Sequence, residues 1–436
     1  MVRLLFILLF IGSLTHTVQA QREVRTYYDE QKEHIQEIYF VEKDDETYTG
    51  RYQRFYENGN RMMEGNFEGG KKSGTFTEYH SNGNLARQLN YVNGMRQGVV
   101  EIFDEEGKPA QKAYYKNDVL VDSIQVYFSD GSVKGETFFV KGKPEGIVKE
   151  YYPGGKLKKE SNYKNGKPNG LTRTFYEDGK TETEANYTDG ILNGLYKTYY
   201  TNGQLETTAT MEKGSKTGQY KTYDRQGSLV TEGGFQSGLL HGDNTGYFSD
   251  GSIQHTFKYS EGKKTGLNME YYHGGKVKVK EQASTNGKDL TQENFDEEGH
   301  ALSIKKFRDE KPHGTWTFFF EDGKTPRLKE PYENGKLSGI RYTYYPSGKV
   351  AKEETFKFNL LAGPFKTYYE NGTLESSGTF RNNRKTDKFT SYHPNGQLKE
   401  EGTYAADRKH GEWKEYDEQG QLIKTSIYKA GVLIGE

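Results

Sequence analysis

Aromatic and polar positions alternate along this chain with a fixed long period. Rows of 24 residues starting at Gly50 place Gly at 74, 98, 146, 170, 194, 218, 242, 266 and 314, with Asp122 and Leu290 in the two gaps. One extra residue near 324–332 moves the next starts to Gly339, Gly363, Asp387 and Gly411. Sixteen units result, fifteen of 24 residues and one of 25. Counting the first residue as position 0, position 9 is Gly throughout, from Gly59 and Gly83 to Gly396 and Gly420. Position 5 is always Tyr or Phe, as at Phe55, Tyr79 and Tyr416. Position 17, or 18 in the 25-residue unit (Tyr332), is aromatic except at Met211 and Ala283, and position 2 is aromatic in half the units, including Trp316 and Trp413. A period of this length is the mark of a repeat array.

The columns dictate local structure. Asn58-Gly59, Asn82-Gly83 and Asn395-Gly396 lie between Tyr-, Phe- and Thr-rich flanks. Asn-Gly supplies the two positive-φ residues of a type I′ hairpin turn, and the flanks suit strands. A second, longer turn carries Gly as well, as in Asn165-Gly166 followed by Gly170. Each unit therefore reads strand, tight turn, strand, longer turn, with no room for a helix. The predicted fold is all-β, an elongated, twisted antiparallel β-meander of sixteen hairpin repeats. At about 4.8 Å per strand, its roughly 32 strands would extend on the order of 150 Å before twist. A two-residue turn at positions 8 and 9 sets position 6 opposite position 11, so Tyr152 faces Leu157 and Tyr369 faces Leu374. The longer turn sets Phe380 opposite Phe389 and Tyr404 opposite Trp413. Positions 2 and 5 have opposite parity, so a bulge between them is expected to bring both aromatics to one face.

The unit G-x-Y-x-x-Y-Y-x-N-G-x-L, well shown by Gly194-Leu195-Tyr196-Lys197-Thr198-Tyr199-Tyr200-Thr201-Asn202-Gly203-Gln204-Leu205, resembles the bacterial variant of the MORN repeat. Proteins of that kind are often labelled antitoxin-like. The resemblance covers residues 50–436 and implies a sheet used as a scaffold or binding surface.

Composition explains how such a chain could fold. Its 436 residues include 52 Gly, 35 Tyr and 24 Phe, while the apolar set is only 32%. Aromatic pairs must therefore replace a thick aliphatic core. A formal net charge of -1 gives no general attraction to nucleic acid. There is no Cys, which excludes disulfides, thiolate metal sites and a lipidated cysteine. Leu4 to Leu14 is apolar, and Val18-Gln19-Ala20 offers a cleavage site, so residues 1–20 read as a signal peptide. A periplasmic or secreted protein follows, without membrane insertion after cleavage. Residues 21–49 are charged, with Tyr27, Tyr28, Tyr39 and Phe40, and read as a polar N-terminal cap. The closing stretch Gly431-Val432-Leu433-Ile434 reads as an uncapped end, open to a partner or a second copy.

No catalytic, cofactor or metal motif stands out. His241, His313 and His410 share position 23, and His80 and His393 share position 6, so they read as repeat slots. His255, His273 and His300 occupy different positions. Function in an array is best sought where the pattern breaks. The largest break, residues 283–290, puts Ala283 in an aromatic slot and Asn286 and Leu290 in glycine slots. Position 2 turns polar nearby, at Asn244, Asn268 and Gln292. These five residues, Asn244, Asn268, Gln292, Ala283 and Asn286, form the candidate interaction patch. The expected function is an exported, non-enzymatic scaffold for a partner protein or glycan of the cell envelope. An antitoxin-like neutraliser and a hydrolase built on the sheet are the alternatives.

Overall fold

The computed structural model describes residues 21–43 and 46–436. The signal-peptide reading of 1–20 lies outside the described residues. Every regular element among them is a strand. The chain divides into two compact units, Met1–Gly203 and Gln204–Glu436. Within each, successive strands pair antiparallel in chain order, giving a meander.

In the first unit, Gln21–Tyr27 and Ile35–Glu42 form a hairpin that pairs onto Tyr48–Phe55. Tyr27 opposes Ile35 just as Phe55 opposes Arg61, so 21–42 has the register of a repeat whose turns are longer. Its Tyr28 hydroxyl donates to the carbonyl of Phe55 at 2.8 Å, as Tyr56 does to Tyr79 at 2.9 Å.

The two turns of the repeat are the reverse of the sequence reading. The Asn-Gly at positions 8 and 9 is not a type I′ turn, because Gly83 is left-handed (φ 92°) and Asn82 is not. The N–H of Gly83 donates to His80 O at 2.9 Å, and that of His80 to Asn84 O at 2.8 Å. Asn82 instead uses its side chain, accepting from the N–H of Asn84 at 2.9 Å. This is a three-residue hairpin loop with one left-handed glycine. Consequently Leu157 faces Tyr151, not Tyr152, and Leu374 faces Tyr368, not Tyr369.

The type I′ turn occurs at positions 19 and 20, where Asn165 (φ 52°) and Gly166 (φ 84°) are both left-handed. Lys164 then pairs with Lys167, and Tyr163 with Pro168. The length ascribed to a long turn is a bulge: Ser161 pairs with Thr172, so two extra residues are absorbed around Gly170 (φ 103°). Phe380 thus pairs with Lys385 and Tyr404 with Lys409, rather than with Phe389 and Trp413. The rings of Tyr404 and Trp413 still meet, 5.0 Å apart and edge to face.

The break at 283–290 has the same logic. Ala283 pairs with Leu290, Gln282 with Thr291 and Glu281 with Gln292 in a straight ladder. The extra residues sit in the turn, where Gly287 N–H donates to Ser284 O at 2.9 Å. With no bulge, position 0 needs no left-handed residue, and Leu290 fits. Asp122 (φ 83°) and Asp387 (φ 63°) keep the bulge and take the strained conformation. The inserted residue of the 25-residue unit is taken up by the hairpin turn 320–325, capped by Asp322 Oδ1 accepting from the N–H of Lys324 and Thr325.

Both faces carry aromatics, against the expectation of one aromatic face. One bulge precedes position 2 and the other lies on the strand facing position 5, so the parity of positions 2 and 5 is untouched. Phe76, at position 2, lies over Gly65, where a Cβ would come within 2.5 Å of the ring. Tyr79, at position 5, turns the other way and donates to Glu64 Oε1 at 2.8 Å. One face is a ladder of position-2 and position-17 rings, as in Phe67–Phe76–Tyr91 at 5.5 and 5.3 Å. The opposite face is tyrosine with ion pairs such as Arg173–Glu184. Its hydroxyls and charges keep the second aromatic row compatible with water.

Candidate functional site

Repeat-to-repeat contacts use most of the conspicuous polar groups. Asn58 and Asn395 donate from Nδ2 to the next hairpin's turn carbonyls, Ser81 O at 2.9 Å and Glu418 O at 2.8 Å. The position-6 tyrosines reach one hairpin on, as Tyr369 does to Tyr392 O at 2.9 Å. His80 and His393 make the same bond through Nε2, to Phe103 O at 3.0 Å and Tyr416 O at 2.9 Å. On the other edge, Gly166 N–H donates to Pro144 O at 2.9 Å. Neighbouring hairpins are thus tied at both ends, and stability accumulates between nearest neighbours.

The second unit departs from this scheme over a contiguous run. Position 15 faces position 2, and in the flanking repeats it is small, as with Gly378 against Phe365 and Gly402 against Phe389. In the run it becomes Phe257, Glu281, Lys305, Glu330 and Glu354, facing Asn244, Asn268, Gln292, Trp316 and Arg341. Polar pairs interrupt the aromatic ladder, which persists through Phe307, Trp316 and Tyr332 with rings 5.2 and 4.7 Å apart.

The five candidate residues divide. Asn244 and Asn268 are buried, 5% and 1% exposed, and touch the ladder rather than a solvent-borne partner. Asn268 Oδ1 accepts from the N–H of Lys258 at 2.8 Å. Asn244 Nδ2 donates to Gly242 O at 3.3 Å. Gln292 donates to Glu281 Oε1 at 3.2 Å, and Lys264 to Glu281 Oε2 at 3.2 Å. The Lys264 ammonium also lies 3.6 Å over the Phe257 ring. Burial, with the Glu281 carboxylate adding to it, raises the Tyr259 phenol.

Ala283 is also buried, 6% exposed, and with the exposed Asn286 it lines open space. Without a ring at 283, two grooves open beside the Ala283–Leu290 pair. One, of about 620 Å³, is lined by Lys263, Lys264, Glu281, Ala283, Asn286 and Lys288 among others. The other, of about 400 Å³, lies against Leu290, Phe307 and His313. Asn286 is exposed, and its Oδ1 accepts from Lys288 N–H at 3.0 Å and Ser284 Oγ at 2.7 Å. Glu281, Lys264 and Lys288 were missed in the sequence, although position 15 read beside position 2 would have exposed Glu281.

The histidines of this stretch are dispersed. His273 stacks on Phe248 at 3.8 Å, and His300 Nδ1 lies 3.2 Å from Asp296. Among the described residues no group of His, Asp and Glu is arranged to hold a metal ion. His255 is half-buried, stacked 4.3 Å from Phe257, with Gly246 leaving room for its ring. Burial lowers its pKa; Glu270 on the facing strand opposes this, and Lys264 reinforces it. The folded state therefore resists protonation of His255 more than the unfolded chain does. His255 stability is complete above the ordinary histidine value of about 6.5 and declines as pH falls below it. Wild-type denaturation midpoints should drop between about pH 6.5 and 5 more steeply than those of His255→Gln.

A family model described as MORN repeat variant matches ten segments: 48–68, 72–93, 96–117, 144–165, 168–189, 192–213, 337–358, 361–382, 388–406 and 409–430. The longest interval between matches, 214–336, contains all five candidate residues and both grooves. No curated protein matches the chain. Similar solved chains include one from the crystal structure of TcdB2-TccC3-Cdc42, at 10% identity, covering 94% of this chain and 27% of that one, TM-score 0.13. Another, from TcdB2-TccC3-TEV, is 13% identical over 96% of this chain and 23% of that one, TM-score 0.14. The chain spans about a quarter of the length of those structures.

Proposed function

Because this chain belongs to the MORN repeat variant family, we propose that it is an exported, non-enzymatic scaffold that binds a partner protein of the cell envelope. The observation that carries the reading is the coincidence of three departures in one place. No family-model match falls in 214–336, polar pairs interrupt the aromatic ladder there, and the missing ring at Ala283 opens two adjoining grooves. Elsewhere the turn asparagines and the position-6 tyrosines and histidines serve the neighbouring hairpin. The larger groove mixes Lys263, Lys264 and Lys288 with Glu281, Asp309 and Glu310, a rim suited to paired charges on a protein surface. Export rests on the basic start, apolar run and small-residue site in residues 1–20.

The test is affinity capture from the envelope fraction on immobilised mature chain. Lys263→Glu with Lys288→Glu should reduce retention of the captured partner at least tenfold. The same reversal at Lys143 and Lys167, in the first unit, should not. Equal losses from both pairs, or none from the first, would overturn the assignment of the groove.

A further inference from the structure

One glycine of the first unit is not required by the fold. Among the described residues, nearly every glycine is left-handed at a turn or bulge, or lies where a Cβ would strike a neighbour. Gly65, Gly378 and Gly402 are of the latter kind, with ring atoms within 2.7 Å of the Cβ position. Gly135 is neither. It lies inside Val133–Val140, has no left-handed φ, and a Cβ would meet only the carbonyl of Lys149 at 3.5 Å. The same position 13 holds Met63, Arg87, Lys159 and Thr183 in other repeats. Glycine inside a strand weakens it, and an unforced one marks a close approach from outside.

The gap it leaves is a groove of about 380 Å³ lined by Val126, Phe128, Lys134, Glu150, Tyr152 and Lys158 among others. Phe128 and Tyr152 occupy the same position one repeat apart, which sets them two strand spacings, about 9.6 Å, from each other. The first and third rings of a linked trisaccharide span that interval. The Tyr152 ring is held by its hydroxyl, which donates to Phe175 O at 2.8 Å. Lys134 lies 5.7 Å over the Phe128 ring, and Lys158 lies 5.5 Å over that of Tyr152. Each platform thus has an ammonium beside it. Glu150 has its own cation, Lys159, at 3.5 Å, so the groove favours an anion. Main-chain recognition of a peptide is closed off, because Gly135 and Glu150 already pair with each other.

We propose that this groove binds an acidic glycan, with uronate rings stacked on Phe128 and Tyr152 over Gly135 and their carboxylates on Lys134 and Lys158. The proposal extends the binding-scaffold reading to a second ligand class, in the first unit. It is tested by calorimetric titration of the mature chain with oligogalacturonate and oligoalginate, against neutral cello-oligosaccharides and an acidic aromatic peptide. An acidic oligosaccharide should bind, more weakly at high salt, and Gly135→Thr should weaken it at least tenfold with an unchanged circular dichroism spectrum. Lys134→Ala with Lys158→Ala should weaken it comparably. Absence of binding to both acidic oligosaccharides, unchanged affinity in Gly135→Thr, equal binding of the neutral sugars, or preference for the peptide would each overturn the proposal. Protein capture at the Lys263–Lys288 groove reads out separately, so failure here leaves that assignment standing.

Discussion

Trp413→Ala is expected to destabilise the second unit by about 3–5 kcal/mol, the range for removing a large buried aromatic side chain. Trp413 is 1% exposed and closes the cluster it forms with Phe365 and Phe389. Its indole N–H donates to Thr403 O at 3.1 Å, Lys409 lies 4.0 Å over the ring, and Tyr404 meets it edge-on. Gly402 gives it room, since a Cβ there would come within 2.2 Å of the indole. The hairpins around it have only their neighbours to rest on, so the loss should be local. Hydrogen exchange should accelerate most over 387–430, and urea denaturation should show an early phase. Trp413→Phe keeps an aromatic in the slot and should cost about 1.5 kcal/mol or less. Equal stability of the alanine variant and the wild type would mean that the aromatic ladder is not what holds this end.

The second large effect belongs to the polar run. Glu354 is 3% exposed and carries two cations: Arg341 Nε lies 3.0 Å from Oε2, and Lys352 Nζ 2.5 Å from Oε1. Burial pushes the Glu354 carboxyl up, but Lys352 and Arg341 outweigh it and hold the group below its ordinary range. Nearby, burial and the Glu330 carboxylate push the Tyr332 phenol up to about 12. Removing one partner of a buried pair costs about 3–5 kcal/mol, because the other charge is left uncompensated. Arg341 and Lys352 are partly exposed, so Glu354→Ala should fall near the lower figure, about 3 kcal/mol. The pair Arg341→Phe with Glu354→Gly would rebuild the ring-over-glycine arrangement of Phe365 and Gly378. It should recover most of the loss, as hydrophobic replacement of buried ion pairs often does. A double variant no better than Glu354→Ala would show that the polar run is needed for folding itself.

Much of the fold was legible because its columns are chemical requirements. Gly59 and its equivalents must be left-handed, and Phe76, Phe389 and Trp413 need a ring-sized slot. The turn types were exchanged because Asn-Gly occurs in both turns with different work. Asn165 supplies a left-handed backbone, while Asn82 supplies a side-chain acceptor. A bulge does not change the residue count of a unit, so the two extra residues at Gly170 looked like turn length. The same blindness made Leu290 read as a damaged slot, when its straight ladder needs no glycine. Parity misled for a related reason, since a bulge at Gly74, ahead of both residues, cannot turn Tyr79 towards Phe76.

The candidate site was legible as a region rather than as a set of contacts. Asn244, Asn268 and Gln292 marked where the ladder changes, but the first two are interior. Ala283 and Asn286 marked the grooves. The acidic and basic lining, Glu281, Lys264 and Lys288, comes from adjacent strands that only the register brings together. Gly135 was hidden among 52 glycines, and only its lack of a conformational or steric reason separates it.

The central claim is that the regular turns serve the array and the broken one serves a partner. Site-specific photo-crosslinking from position 286 and from position 395 in the envelope tests it most directly. Both asparagines cap their turns in the same way, each accepting from a backbone N–H two residues on at 3.0 Å. The account predicts a discrete protein adduct from position 286 and none from position 395. Matching adducts from both, or an adduct from 395 alone, would contradict it.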